Sequence, residues 1–150
     1  MTTGVAREIA DNWKYPPPYD FYDMTADPED YAEFVMPESW HKVCLQVRVD
    51  GQLFGFLSGR FLADGRGLEI GLGMHPNLTG KGLGRAFMEA NLAWLREDSP
   101  GTPIRLNVAA FNARAIRTYE GVGFCRVRTF TQATNGGTFD FIEMEHEGHP

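Results

Sequence analysis

Leu72-Gly73-Met74-His75-Pro76-Asn77-Leu78-Thr79-Gly80-Lys81-Gly82-Leu83-Gly84-Arg85 joins a β-rich stretch to a helix-periodic one through alternating glycines. Without a Cβ, each glycine lets neighbouring N–H groups turn toward a single point. The helix that follows contributes unpaired donors and the positive end of its dipole. Such a strand, loop and helix start form a cradle for a phosphate or diphosphate. Two familiar nucleotide loops do not fit. GxxxxGK[ST] fails because Lys81 is followed by Gly82 and its first glycine is missing, and GxGxxG read from Gly82 ends on Phe87.

The chain on either side reads as alternating short elements. Val5 to Trp13 is a short helix, and Trp13 to Tyr22 is a proline- and aromatic-rich stretch whose aromatics Trp13, Tyr15, Tyr19, Phe21 and Tyr22 either pin it to the body or line a pocket. Asp27-Pro28-Glu29-Asp30 has the form of a helix start, with Asp as cap and Pro at the first position, and Pro37 ends that helix. Val43 to Val49 and Gln52 to Leu62 form a hairpin around Asp50-Gly51, and Leu68 to Met74 is a third strand. From Gly82 to Arg96, Leu83, Phe87, Ala90 and Trp94 recur at helical spacing. Ile104 to Ala109 is a strand and Ala113 to Glu120 a helix closed by Gly121 and Gly123. Phe124 to Gln132 and Thr138 to Glu145 make a last hairpin around Asn135-Gly136-Gly137. The order α-α-β-β-β-α-β-α-β-β predicts an α+β fold, a mixed sheet flanked by helices, in one domain spanning 1–150.

Two motifs together carry a resemblance. Thr79-Gly80-Lys81-Gly82-Leu83-Gly84 fits Q/R-x-x-G-x-G/A, with Thr79 in the Gln/Arg place. Downstream, Asn112-Ala113-Arg114-Ala115-Ile116-Arg117-Thr118-Tyr119-Glu120-Gly121-Val122-Gly123-Phe124 follows a strand and fits N-x-x-A-I-x-x-Y-E-x-x-G-F. In this order and spacing they resemble the GNAT superfamily of acetyl-coenzyme-A-dependent N-acetyltransferases, over about Val43 to Glu145. The resemblance implies a mostly antiparallel central sheet with one splayed parallel strand pair, acetyl-CoA as co-substrate, and transfer of its acetyl group to a primary amine. It places the coenzyme against the backbone of Leu72, Gly73 and Met74, against Thr79, Gly80, Lys81, Gly82, Leu83, Gly84 and Arg85, and beside Asn107, Asn112 and Tyr119. Asn112 and Tyr119, seven apart, fall on one helix face about 10 Å from each other. Asn112 suits the pantetheine arm, a plain helix N-cap, or both.

Acyl transfer to an amine needs a base, a donor for the oxyanion and a proton for the leaving thiolate. The resemblance gives Tyr119 the last role and the Met74 N–H the second. The protein-N-terminus acetylating branch carries a Glu base on the strand that here reads Leu106-Asn107-Val108, and Asn107 cannot take a proton. Glu69 or a water relay stands in its place, with His75 as a further titratable group at the loop entrance. Members of the family begin with a strand before the first helix. Here Met1 leads almost directly into the Val5 helix, so that strand is expected to be absent or to belong to a longer reading frame. If it is absent, Val43 to Val49 becomes an exposed edge that favours a homodimer.

Composition narrows the alternatives. A net charge of −6 and a pI near 5.1 over 150 residues argue against a nucleic-acid binder and mildly favour a cationic acceptor. No apolar run reaches the length needed to span a bilayer and no secretion signal opens the chain, so a cytoplasmic, membrane-free setting is expected. Cys44 and Cys125 lie singly in apolar strands and read as buried thiols, and no metal site is expected. The leading reading is an N-acetyltransferase. A catalytically silent acyl-CoA-binding module and a nucleotide-binding interaction domain are the other two.

Overall fold

The computed structural model describes residues 1–147. Helices α1 (Thr3–Asn12) and α2 (Pro28–Val35) come first, followed by strands β1 (Val43–Val49), β2 (Gln52–Phe61) and β3 (Leu68–Met74). Then come α3 (Gly84–Asp98), β4 (Ile104–Ala109), α4 (Ala113–Gly121), β5 (Cys125–Thr134) and β6 (Gly137–His146). The Asp27 side chain accepts from the N–H groups of Glu29 and Asp30, so the Asp-Pro start of α2 is built as its sequence dictates. Asp50 and Gly51 both take positive φ, as do Asn135 and Gly136, the backbone that tight hairpins require.

One six-stranded sheet in the order β1-β2-β3-β4-β6-β5 holds the molecule together. Every neighbouring pair is antiparallel except β3 with β4, which is parallel. That pair is joined only at Leu68↔Ile104 and Glu69↔Arg105, after which the strands diverge. The closed end is tied by charge. Glu143 of β6 is buried and receives Arg105, with Arg128 at 3.2 Å and Arg66 at 3.6 Å, while Arg105 also reaches Glu145 at 2.6 Å. A buried carboxylate is tolerable only when paired in this way.

The two faces are covered unequally. Leu68, Ile70, Ile104, Leu106, Val108, Ile142 and Met144 pack under α3 and α4, where Met88, Leu92, Leu95 and Ile116 complete the main core. On the other face α1 supplies Ile9 and, just past its end, Trp13, which pack against Phe56 of β2. Beside this second cluster Ser58, Arg60, Glu69 and Asn107 are not sealed.

Three expectations need correction. The buried stripe of α3 is Phe87, Met88, Asn91, Leu92 and Leu95, whereas Ala90 and Trp94 are exposed. Both stripes fit helical spacing, and only the position of the sheet selects between them. Helix α3 begins at Gly84, not Gly82, because Gly82 takes φ +77°, outside the helical region. Cys125 is exposed and Cys44 half-buried, since β5 and β1 are the outer strands of the sheet. Burial raises the Cys44 thiol above its ordinary value.

The approach of β2 to β3 depends on missing side chains. A Cβ on Gly55 would lie 2.5 Å from the Gly73 carbonyl oxygen, and one on Gly73 would lie 2.5 Å from the Phe56 ring. Gly55→Ala is therefore expected to lower unfolding free energy by about 1–3 kcal/mol. Gly121→Ala, with helical backbone and no atom within 4 Å of the new Cβ, should be neutral or stabilise by up to ~1 kcal/mol. Urea unfolding of the two variants beside the wild type checks both signs.

Candidate active site

Strand β3 runs directly into the glycine loop and the loop into α3. Gly80 and Gly82 take φ +71° and +77°, the left-handed region where a side chain is strained. Leu83, at the N-cap of α3, makes no side-chain capping bond, and the first intrahelical bond is Phe87 N–H to Leu83 C=O. The first-turn amides therefore lack intrahelical partners and carry the positive end of the helix dipole. Thr79 faces inward instead, donating its hydroxyl to the Pro76 carbonyl at 2.9 Å. Lys81 is exposed, and Arg85 is paired with Glu89 at 2.9 Å along the helix. Arg114 of α4 stacks on Tyr19 at 4.1 Å and lies 3.4 Å from where a Cβ of Gly80 would stand. Three cations thus border the loop although the chain as a whole is acidic, which suits a diphosphate.

Beyond Glu69↔Arg105 the facing edges of β3 and β4 have no strand partner. Strand alternation shows which groups face the gap. His75 N–H bonds to Phe54 of β2, so Met74 presents its N–H and C=O to the open side. Ala110 N–H bonds to the Asp140 carbonyl of β6, so Ala109 presents its N–H from the opposite lip. Each lip is touched by a tyrosine from one short segment. Tyr15 donates its hydroxyl to the Met74 carbonyl at 2.8 Å, and the Tyr22 hydroxyl accepts from Ala109 N–H at 3.2 Å. The segment is held in place by Asn135, whose Nδ2 donates to the Phe21 carbonyl at 2.7 Å, and by Asp23, which accepts from Tyr15 N–H at 2.9 Å. Phe21 packs edge-on against Phe111 and Phe139.

The second motif arrives at the same gap. Asn112 is the N-cap of α4, with Oδ1 accepting from Ala115 N–H at 3.1 Å, and its Nδ2 donates to the Tyr22 hydroxyl at 3.2 Å. Tyr119 packs against the main core and the Phe124 ring, and burial raises its hydroxyl far above the usual tyrosine value. Tyr22 is close enough to Tyr119 to add to that rise.

A cleft of about 820 Å³ takes in Leu72, Gly73, Met74, Thr79, Gly80, Gly82, Gly84, Asn107, Asn112 and Tyr119 together. Glu69 also lines it, five residues before Met74, with its carboxylate 3.1 Å from Arg60 Nη2. Five strand residues span about 16 Å, so Glu69 is not brought directly to the Met74 end. Asn107 is exposed on β4, and His75 accepts from Asn77 N–H through Nδ1 while its ring lies 5.1 Å from that of Trp13. The indole N–H of Trp13 is buried at the cleft without a partner among the described residues. Tyr15, Tyr22 and Arg114 are the residues that motif reading did not select. No local pattern gives their partners, which lie about 60 to 90 positions away or in another element.

Comparison with known proteins agrees with this geometry. A mycothiol acetyltransferase of Salinispora tropica is 36% identical over 86 residues, covering 55% of this chain and 28% of that protein. The chain thus spans under a third of the length of that relative. A spermidine N-acetyltransferase chimera from Vibrio cholerae and hSSAT shares the fold with a TM-score of 0.68 at 19% identity, over 99% of this chain and 92% of the other. A Salmonella typhimurium protein solved with its cofactor acetyl-CoA superposes with a TM-score of 0.58 at 24% identity, over 69% and 63% of the two chains. The sequence model of the acetyltransferase (GNAT) family matches residues 7–124, the span that holds the splayed strands, the glycine loop and the uncapped helix, and the chain belongs to that family.

Proposed function

We propose that the chain is an N-acetyltransferase that moves the acetyl group of acetyl-CoA to a primary amine by direct attack, with both substrates bound together. The observation that carries this reading is the continuous path from the free edge of β3 into a positive-φ glycine loop and an uncapped helix. A free strand edge suits the amide-bearing pantetheine arm, as an added strand would, and the loop amides suit the diphosphate.

The roles follow from where each group faces. Met74 N–H, aimed into the gap, suits the carbonyl oxygen that gains negative charge during attack. Glu69 is held by Arg60 at a distance from Met74, which favours a relay of water molecules over direct proton abstraction. Two hydroxyls suit the thioester end, Tyr119 from the second motif and Tyr22 from the proline-rich segment. Burial raises both, so each keeps its proton at neutral pH and can serve as an acid. The acceptor enters from the face carrying Phe56, Trp13 and the unsealed polar residues. The catalytically silent reading is favoured by one feature, the amide of Asn107 where a carboxylate base would serve.

Thiol release from acetyl-CoA, measured with amino acids, polyamines, aminoglycosides and peptide N-termini, is expected to show turnover with at least one class. Tight acetyl-CoA binding without release across the panel would identify the silent module instead. Gly82→Ala adds a Cβ with no atom within 4 Å but at φ +77°, and should turn the loop amides away from the diphosphate. Its Kd for acetyl-CoA by calorimetry is expected to rise roughly tenfold or more, the loss of about one hydrogen bond to a charged group, with kcat little changed.

A further inference from the structure

The Tyr22 hydroxyl is built differently from that of Tyr119. Its oxygen accepts two N–H groups, one from Ala109 on the lip of β4 and one from Asn112 at the head of α4, each at 3.2 Å. With both lone-pair directions taken, its proton points away from those donors. Tyr22 is 37% exposed and lines the cleft. Among the described residues no hydrogen bond reaches the Tyr119 hydroxyl, and its ring packs against the main core and Phe124. An acid in a cleft works best where the anion it leaves behind is stabilised, and N–H donors aimed at the oxygen do that. Burial raises the Tyr22 hydroxyl, while the Asn112 and Ala109 donors pull it back down. Tyr119 has no such compensation.

We infer that Tyr22, carried by the segment between α1 and α2, is the residue that protonates the departing thiolate, and that Ala109 N–H and Asn112 Nδ2 hold the phenolate it leaves. This assignment rests on the acetyl-transfer reading above. As the amine nitrogen bonds to the acetyl carbon, the carbon–sulfur bond breaks and its electron pair leaves on sulfur. Sulfur takes the Tyr22 proton. The proton shed by the amine returns through water to the phenolate, so nothing further is consumed. Asn112 is then both a helix cap and a stabiliser of the Tyr22 anion.

The test compares acetyl-CoA with acetyl-seleno-CoA, which has the same arm but a far less basic leaving group that departs without a proton. Tyr22→Phe keeps the ring and its contacts with Phe21 and Phe111. It is expected to lose about 10²-fold or more in kcat with acetyl-CoA, but under about threefold with the selenoester. Acetyl-CoA Kd and thermal midpoint should stay near wild type. Asn112→Ser keeps an N-cap and removes the second donor, and a loss of roughly tenfold with acetyl-CoA, again rescued by the selenoester, is expected. Equal losses with both donors would make Tyr22 a packing residue and overturn the assignment. So would an unimpaired Tyr22→Phe, or a selenoester-rescued loss confined to Tyr119→Phe. A wild type that binds acetyl-CoA but releases neither thiol nor selenol with any amine overturns the acetyl-transfer reading first, and the role of Tyr22 with it.

Discussion

The architecture turns on a strand pair that is allowed to part. Strands β3 and β4 are hydrogen-bonded at two register positions and then separate, leaving backbone donors and acceptors on both lips of the gap. Such groups are costly if buried without partners, so the gap exists only because other features compensate. The buried Glu143 and the arginines that converge on it lock the closed end. At the open end Tyr15 and Tyr22 supply hydrogen bonds that a neighbouring strand would otherwise make. A ligand with amides along its length fits the same gap for the same reason.

Around that gap the two sheet faces divide the work. One face is sealed by α3 and α4 over a continuous aliphatic core, which fixes the helix ends relative to the strands. The other is covered in part, by α1, Trp13 and the proline-rich segment, so it keeps stability and access at once. The glycine loop sits where the sealed side meets the gap. Its positive-φ residues aim backbone amides without using side chains, which explains how Thr79 can stand in the Gln/Arg place of the resembled motif. Lys81, Arg85 and Arg114 stand around this loop on an acidic protein, with Arg85 paired to Glu89.

Much of this was readable from local chemistry. The Asp27-Pro28 helix start, the Asp50-Gly51 and Asn135-Gly136 turns and the boundaries of β1, β3 and β4 follow from residues within a few positions of each other. So did the two motifs, because loop geometry and helix capping are short-range. Where local pattern admitted two answers, sequence reading went astray. The spacing of Leu83, Phe87, Ala90 and Trp94 is helical, yet the stripe one step round the helix is the one the sheet buries. Cys125 sits in a strand read as apolar that turned out to be an edge, and strand order is a property of the whole sheet.

By itself, then, the sequence determined the elements, the turns, the glycine loop and the family, all consequences of φ preferences, capping and periodicity acting over fewer than about 20 residues. Only the folded chain decided which lips of the parted strands the tyrosines reach. Tyr22 meets Ala109 and Asn112 across 87 and 90 residues, and Tyr15 meets Met74 across 59. Contacts at such separations have no local signature, because a tyrosine hydroxyl finds its partner through the geometry of the sheet and not through its neighbours in the chain.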